Sequence, residues 1–233
     1  MKRLIRRIPI LGPLLARWYW RTRAPRHAAS LFAGSRDYWE TRYASGSNSG
    51  VGSYGKFAEF KAEFLNEFVA TQSIGSVIEF GCGDGNQLSL VHYPAYLGFD
   101  VSPTAVAACR ARYAGDASRR FALVEDYAGE TAELSLSLDV LYHLVEDEVF
   151  DRYMARLFDA ATRHVIVYSS NTDEAAETAS PHVRHREFTR WVAAQRPAWR
   201  LVRHVPNRYP YTGDYRTGSF ADFYVFATGA AAG

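Results

Sequence analysis

A chain of 233 residues, 48% apolar and 22% charged, has the length and core-forming content of one ordinary globular domain, alone or with an extension. That composition excludes an intrinsically disordered chain, and two cysteines, Cys82 and Cys109, exclude a disulfide scaffold and imply a reducing compartment such as the cytoplasm. The net charge of +2 conceals a basic N-terminal stretch joined to an acidic remainder.

Residues 1–36 hold nine Lys or Arg and no acid, which leaves the other 197 residues with 18 basic and 25 acidic side chains, a net of −7. In this arm Leu4, Ile8, Leu11, Leu15 and Trp18 recur at spacings of 4, 3, 4 and 3, one helical stripe. Pro9 and Pro13 divide it into two short helices, with Pro13 near the start of the second. Cations around a Leu/Ile/Trp face suit a helix lying in an anionic membrane interface, peripheral on the cytoplasmic face, and the apolar run is too short to span a bilayer. Packing on its own domain or on a second subunit is the alternative. Nucleic-acid contact is disfavoured, because the acidic remainder has no basic stripe interleaved with aromatics. A signal peptide is disfavoured by Arg17, Arg21 and Arg23, and by the lack of a clear small-residue cleavage site.

Residues 37–55, aromatic and then Gly/Ser-rich, read as a loop or lid. Over 56–69 a helix is predicted, with Phe57, Phe60, Phe64 and Phe68 on its core face and Lys56, Glu59, Lys61 and Glu63 mostly elsewhere. A buried strand over 76–80 then runs into Gly81, Cys82, Gly83, Asp84 and Gly85, a glycine-alternating turn suited to close approach of a ligand. Asn86–Val91 reads as the start of a helix whose free N–H groups favour an anionic group.

The spacing of this turn narrows its ligand. A dinucleotide turn requires G-x-G-x-x-G, but Asn86 stands at the third position; a phosphate loop requires a Lys that is absent here. The segment V-I-E-F-G-C-G-D-G at 77–85 resembles the first motif of class I S-adenosylmethionine-dependent methyltransferases, matching at Glu79, Gly81, Gly83 and Gly85. The resemblance implies that the glycines border the methionine moiety of S-adenosylmethionine and that Glu79 helps to hold its ammonium, directly or through water.

A second strand over 96–100 ends in Asp100, 21 positions after Glu79, where the diol of a ribose finds its acceptor. A third strand over 121–125 leads to Asp126, a candidate acceptor for the adenine amino group, with Glu125 competing. The helix at 103–114, strand 4 within 134–144, helix 146–161, strand 5 within 163–170, helix 186–194 and strands at 199–205 and 220–228 complete the alternation. The expected fold is α/β: a doubly wound, mainly parallel seven-stranded sheet with an antiparallel last strand, resembling class I methyltransferases over 37–228, plus the basic N-terminal helical extension over 1–36.

In such sheets the ligand lies beyond the carboxyl ends of the strands. Strand 4 there offers Asp139 beside the cofactor, with Tyr142 and His143; strand 5 offers Ser169, Ser170 and Asn171. S-L-D-V-L-Y-H-L at 137–144 is similar to the fourth-strand motif of many small-molecule methyltransferases. In that motif the histidine makes His143 a candidate general base of near-neutral pKa, or a structural residue. H-V-R-H-R at 182–186 nominates His182, Arg184 and His185 for an anionic acceptor, or for a solvated stretch paired with Asp173, Glu174 and Glu177. No cysteine–histidine spacing matches a metal site. The expected activity is methyl transfer from S-adenosylmethionine to a polar small molecule or glycan, O-methylation favoured. The alternatives are a nucleic-acid methyltransferase anchored by the arm, and a non-catalytic S-adenosylmethionine-binding module.

Overall fold

The computed structural model describes Phe32, Gly34–Glu174 and Ser180–Gly229. The expected arm helices and their membrane contact fall on residues outside this set. Seven strands form one sheet: β1 (Val77–Phe80), β2 (Tyr96–Asp100), β3 (Arg119–Leu123), β4 (Ala132–Leu138), β5 (Ala161–Ser169), β6 (Trp199–Val205) and β7 (Asp222–Thr228), in the order β3-β2-β1-β4-β5-β7-β6. β1 pairs parallel with β2 and β4, β2 with β3, and β4 with β5. β7 runs antiparallel between β5 and β6, as the missing helix between the last two strands implies.

Helices cover both faces, so the central strands carry apolar residues on both sides. On one face α2 (Gly55–Thr71) lays Phe60, Phe64 and Phe68 over Leu134, Leu136, Tyr168 and Phe223. On the other, α4 (Asp147–Asp159) and α5 (Phe188–Gln195) bring Phe150, Leu157, Phe158 and Val192 against Ile78, Phe99, Val165 and Phe226. Each such buried side chain contributes about 2 kcal/mol of hydrophobic transfer. α3 (Pro103–Arg112) connects β2 to β3; Ser102 caps it by accepting from the Ala105 N–H at 3.0 Å, with Pro103 at the first helical position.

Three expectations change. The stretch read as a loop or lid begins instead as a helix, α1 (Ser35–Ala44), starting inside the stretch assigned to the arm. Tyr38, Trp39 and Tyr43 lower its intrinsic helix propensity, and docking onto the domain supplies what local sequence does not. The helix expected from Asn86 is a single 3₁₀ turn, Gln87–Leu90, ended by extended Val91, and so offers no helix N-terminus to an anion. β3 starts and ends two residues earlier than expected. The Arg119 guanidinium donates to the Tyr93 carbonyl at 2.7 Å, anchoring the strand entry and leaving Val124–Asp126 as a 3₁₀ turn.

His164 of β5 is 3% exposed, edge-on to Phe68 at 5.2 Å, with neither ring nitrogen hydrogen-bonded. Burial, then the charge of Arg163, hold its pKa below the ordinary histidine value. The unfolded chain therefore takes up this proton first, and stability is lost as pH falls below about 6.5. The thermal midpoint relative to His164→Leu should therefore decline between pH 7 and 5.5; a constant difference would show that His164 is not the group responsible.

Candidate active site

A cavity of about 270 Å³ opens at the C-terminal ends of β1, β2 and β4, where the strand order reverses between β1 and β4. β1 runs into Gly81, Gly83 and Gly85, whose φ angles of +89°, +57° and +72° lie where side chains are strained. A Cβ on Gly81 would overlap Val140, and one on Gly83 the hydroxyls of Ser49 and Tyr43. Space beside this turn is therefore filled by protein, and Gly81 and Gly83 line the cavity with their backbone. Gly85 sits against Cys109 and Tyr113, outside the lining. Cys82 is buried and lines the cavity; the Cys109 thiol donates to the Gly83 carbonyl at 3.2 Å from beneath.

Two wholly buried carboxylates face the cavity beside the turn. Asp100, at the end of β2, accepts from the Gly83 N–H through Oδ2 and from the Ser102 N–H through Oδ1, each at 2.9 Å. Burial raises its pKa, and these N–H groups oppose the rise. Each oxygen retains a second lone pair, enough for the two hydroxyls of a diol. Alternation along β1 places Glu79 on the same face as Val77, toward α2. Its Oε2 accepts from the Tyr96 hydroxyl at 2.6 Å, and burial pushes its pKa up to about 7 against that bond and the charge of Lys61.

Residues 34–54 roof the cavity and are fastened at the ends of four strands. Beyond β1, Asp84 accepts from the Ser49 N–H at 2.9 Å and the Tyr54 hydroxyl at 2.8 Å. Beyond β2, Glu40 accepts from Ser102 Oγ and from Thr104 Oγ1 at 2.6 Å. Beyond β3, Arg36 pairs with Glu125 at 2.7 Å; beyond β4, the Ser35 N–H donates to Glu146 at 2.9 Å.

Asp139 follows β4 with φ +60°, a strained conformation for a residue with a side chain. Its Oδ2 accepts from the Lys61 ammonium at 2.6 Å and its Oδ1 from the Tyr142 hydroxyl at 2.7 Å. His143 also lines the cavity, edge-on to Trp39 at 4.9 Å. Its Nδ1 is 3.0 Å from the His182 carbonyl, which only accepts, so Nδ1 carries the proton and Nε2 a lone pair. Burial pushes its pKa down to about 4, in place of the near-neutral value expected of a general base.

With this geometry in place, the comparisons assign the fold. No family model and no curated protein matches the sequence. Solved structures share the fold: the N-methyltransferase NodS of Bradyrhizobium japonicum in complex with S-adenosyl-L-homocysteine is 15% identical, covering 84% of this chain and 99% of its own, with a TM-score of 0.65. The chain has the class I methyltransferase fold. Magnesium protoporphyrin IX methyltransferase of Synechocystis with bound S-adenosylmethionine is similar at 14% identity, TM-score 0.58 and 85% and 99% coverage. An O-methyltransferase of Bacillus cereus in complex with S-adenosyl-L-homocysteine is similar at 11% identity, TM-score 0.53 and 89% and 97% coverage.

In this class I methyltransferase fold the cavity brings together Glu79, Gly81, Cys82, Gly83, Asp100, Asp139 and His143. Asp126 is exposed in the turn after β3 and outside the lining, where Val124 takes part instead. Tyr142 stands behind Asp139, and Asn171 bonds Thr189 at 2.9 Å. In H-V-R-H-R, His182 stacks on Tyr38 at 4.2 Å and His185 meets Ser170 Oγ at 2.6 Å. Arg184 and Arg186 both pair with Asp147, at 2.8 and 3.0 Å, while Asp173 pairs with Arg190. The lid residues Trp39 and Tyr43, read from the sequence as able to face a ligand or to anchor the loop, do line the cavity. Sequence reasoning missed Lys61, although 57, 61, 64 and 68 follow the 4-3-4 spacing of the core stripe, and missed Gln87 and the roof residue Ser49.

Because its folded pKa lies above the ordinary 4.5, Glu79 contributes stability that is fully present below pH 4.5 and lost as pH rises through about 7. The thermal midpoint of the protein relative to Glu79→Gln should therefore fall between pH 5 and 8. A constant difference would place the Glu79 pKa outside that interval.

Proposed function

We propose that this protein is an S-adenosylmethionine-dependent methyltransferase acting on a hydroxyl of a polar small molecule or glycan. The observation that carries the cofactor reading is Asp100, a buried carboxylate fixed by the Gly83 and Ser102 N–H groups beside the cavity, with lone pairs left for a ribose diol. The G-x-G-x-G turn and the class I fold support the same reading, as do neighbours solved with S-adenosylmethionine or its demethylated product.

The cofactor supplies, when bound, an electrophilic methyl group on a sulfonium sulfur. The chain's own work is to hold ligands in line and to exclude water. Asp100 holds the sugar, Gly81 and Gly83 present backbone, and the roof from Ser35 to Ser53 closes the cavity. His143 supports a hydroxyl acceptor. Its Nε2 lone pair accepts a hydrogen bond from that hydroxyl and orients its oxygen; the ring is neutral before transfer, and Nε2 takes up the hydroxyl proton as the oxygen is methylated and passes it on to solvent. Arg184 and Arg186 are engaged by Asp147 and by main-chain carbonyls of 144–145, so H-V-R-H-R gives no support to an anionic acceptor.

Calorimetry with S-adenosylmethionine tests the core of this reading. The full chain should bind, and Asp100→Ala should weaken binding by about 10- to 100-fold, the loss expected for hydrogen bonds to a charged group. No heat of binding at millimolar cofactor would overturn the proposal. Labelled methyl from S-adenosylmethionine should then pass into the small-molecule or glycan fraction of a cell extract; label in nucleic acid alone would overturn the acceptor class.

The basic arm supports a further part of the proposal, attachment to an anionic membrane surface from the cytoplasmic side. The full chain should float with vesicles containing anionic lipid and lose that affinity when Arg3, Arg6 and Arg7 are changed to Gln, at about 1 kcal/mol per charge. Unchanged flotation would exclude the arm's charge as the anchor.

A further inference from the structure

Lys61 has no exposed surface, yet it forms part of the cavity wall. Its ammonium donates to Asp139 Oδ2 at 2.6 Å and lies over the Tyr168 ring at 5.2 Å, leaving two of its three N–H donors without a hydrogen-bond acceptor among the described residues. Gln87 lines the same cavity at 7% exposure; its Nε2 donates to the Ala58 carbonyl at 3.1 Å, and its buried Oε1 accepts from no group. Ala58 precedes Lys61 by three residues on α2, so one helix face brings the amide and the ammonium to adjacent stretches of the wall. The site thus holds donor capacity on a buried cation and an open acceptor on a buried amide, next to a carboxylate strained into its position. Buried polar groups are ordinarily partnered, and the open donors of Lys61 and the open acceptor of Gln87 belong to residues that line the cavity a ligand would fill.

Charge balance limits what that ligand is. Lys61 and Asp139 already neutralise each other. At this end of the cavity a lone carboxylate or a lone ammonium would leave the Lys61–Asp139 pair with an uncompensated neighbour, whereas a group carrying both leaves the local sum unchanged with opposite charges alternating. We propose that Lys61, Gln87 and Asp139 form a site for an α-amino-acid head group, occupied by the methionyl end of the cofactor. Lys61 donates to its carboxylate, and Gln87 Oε1 and Asp139 accept from its ammonium. The assignment rests on the cofactor reading above and makes Lys61 and Gln87 specificity-determining residues for it.

Three probes separate the parts: S-adenosyl-L-homocysteine carries the whole head group, decarboxylated S-adenosylmethionine lacks only the carboxylate, and 5′-methylthioadenosine lacks both charges. In calorimetry on the full chain, Lys61→Met should weaken S-adenosyl-L-homocysteine by about 10- to 100-fold, with little change for the other two probes. Gln87→Leu should weaken both ammonium-bearing probes by about 10-fold and leave 5′-methylthioadenosine unchanged. A wild-type protein that binds none of the three overturns the cofactor reading and this assignment with it. Wild-type binding combined with a Lys61→Met loss shared equally by all probes, or with no loss, overturns this assignment alone. A head group belonging to the acceptor instead would appear as equal wild-type affinity for S-adenosyl-L-homocysteine and 5′-methylthioadenosine, which also overturns it. Gln87→Leu keeps the Lys61–Asp139 pair, so if Lys61→Met does not fold, unchanged affinity of Gln87→Leu for S-adenosyl-L-homocysteine decides against the proposal.

Discussion

A carboxylate withdrawn from water costs several kcal/mol unless donors replace its hydration, and this protein buries two and partly buries a third at the ends of three adjacent strands. Glu79 on β1 has the Tyr96 hydroxyl, Asp100 on β2 has two backbone N–H groups, and Asp139 after β4 has an ammonium and a phenol. Much of the local architecture follows from meeting those requirements. The turn after β1 must bend so that the Gly83 N–H reaches Asp100, which takes left-handed backbone at Gly81, Gly83 and Gly85. α2 must carry a cation through an apolar face to reach Asp139. The three solutions differ in kind, and so do their consequences. Glu79, with a single neutral donor, holds its proton up to about pH 7, whereas Asp84 at the rim is held below the ordinary aspartate range. There burial is outweighed by the Ser49 and Asn86 N–H groups and the Tyr54 and Ser49 hydroxyls.

The roof follows from the same strand-end chemistry. Its fastenings differ in kind: the exposed ion pair Arg36–Glu125 contributes at most about 1 kcal/mol, and the others are part-buried hydrogen bonds to carboxylates. Their arrangement matters more than their sum: contacts beyond each of β1, β2, β3 and β4 fix α1 and the segment after it over the cavity. Gly34 before α1, with φ +127°, and Gly46 and Gly50 after it, with φ +79° and +95°, supply the chain reversals that let a helix lie there.

The fold was legible because its signals are local. Apolar strands between helical periods, a glycine turn after the first strand and an acid 21 positions on are all visible within short windows, and β2 and β6 have the expected bounds. The deep end of the site was not, for two physical reasons. Lys61 was counted with the polar residues of its helix because of its charge, while its position in the 57, 61, 64, 68 progression identified it as a core-facing side chain. The other reason is distance along the chain. Ser35 meets Glu146 across 111 residues, Glu40 meets Ser102 across 62, and Arg186 finds Asp147 39 residues upstream rather than the acids beside it. No periodicity encodes such pairs, so a basic run that looked available for an anion is engaged at one end of α4.

The charges lining the cavity bear on the reaction as a cycle. Asp37, Glu79, Asp100, Asp139 and Glu146 face Arg36 and Lys61, and Arg36 is itself paired with Glu125 outside the lining. Such a wall favours a ligand with a net positive charge over a neutral one of the same shape, the more so where water is excluded. On the reading proposed above, the methyl donor carries a sulfonium and the demethylated product does not, so the electrostatic attraction weakens once the methyl group has left. Glu79 sharpens that difference: a nearby cation draws its pKa downward and favours its charged form, and loss of the cation raises it again. The carboxylates that are costly to bury thus favour the donor, with its additional positive charge, before transfer and hold the product, which has lost that charge, less tightly afterwards.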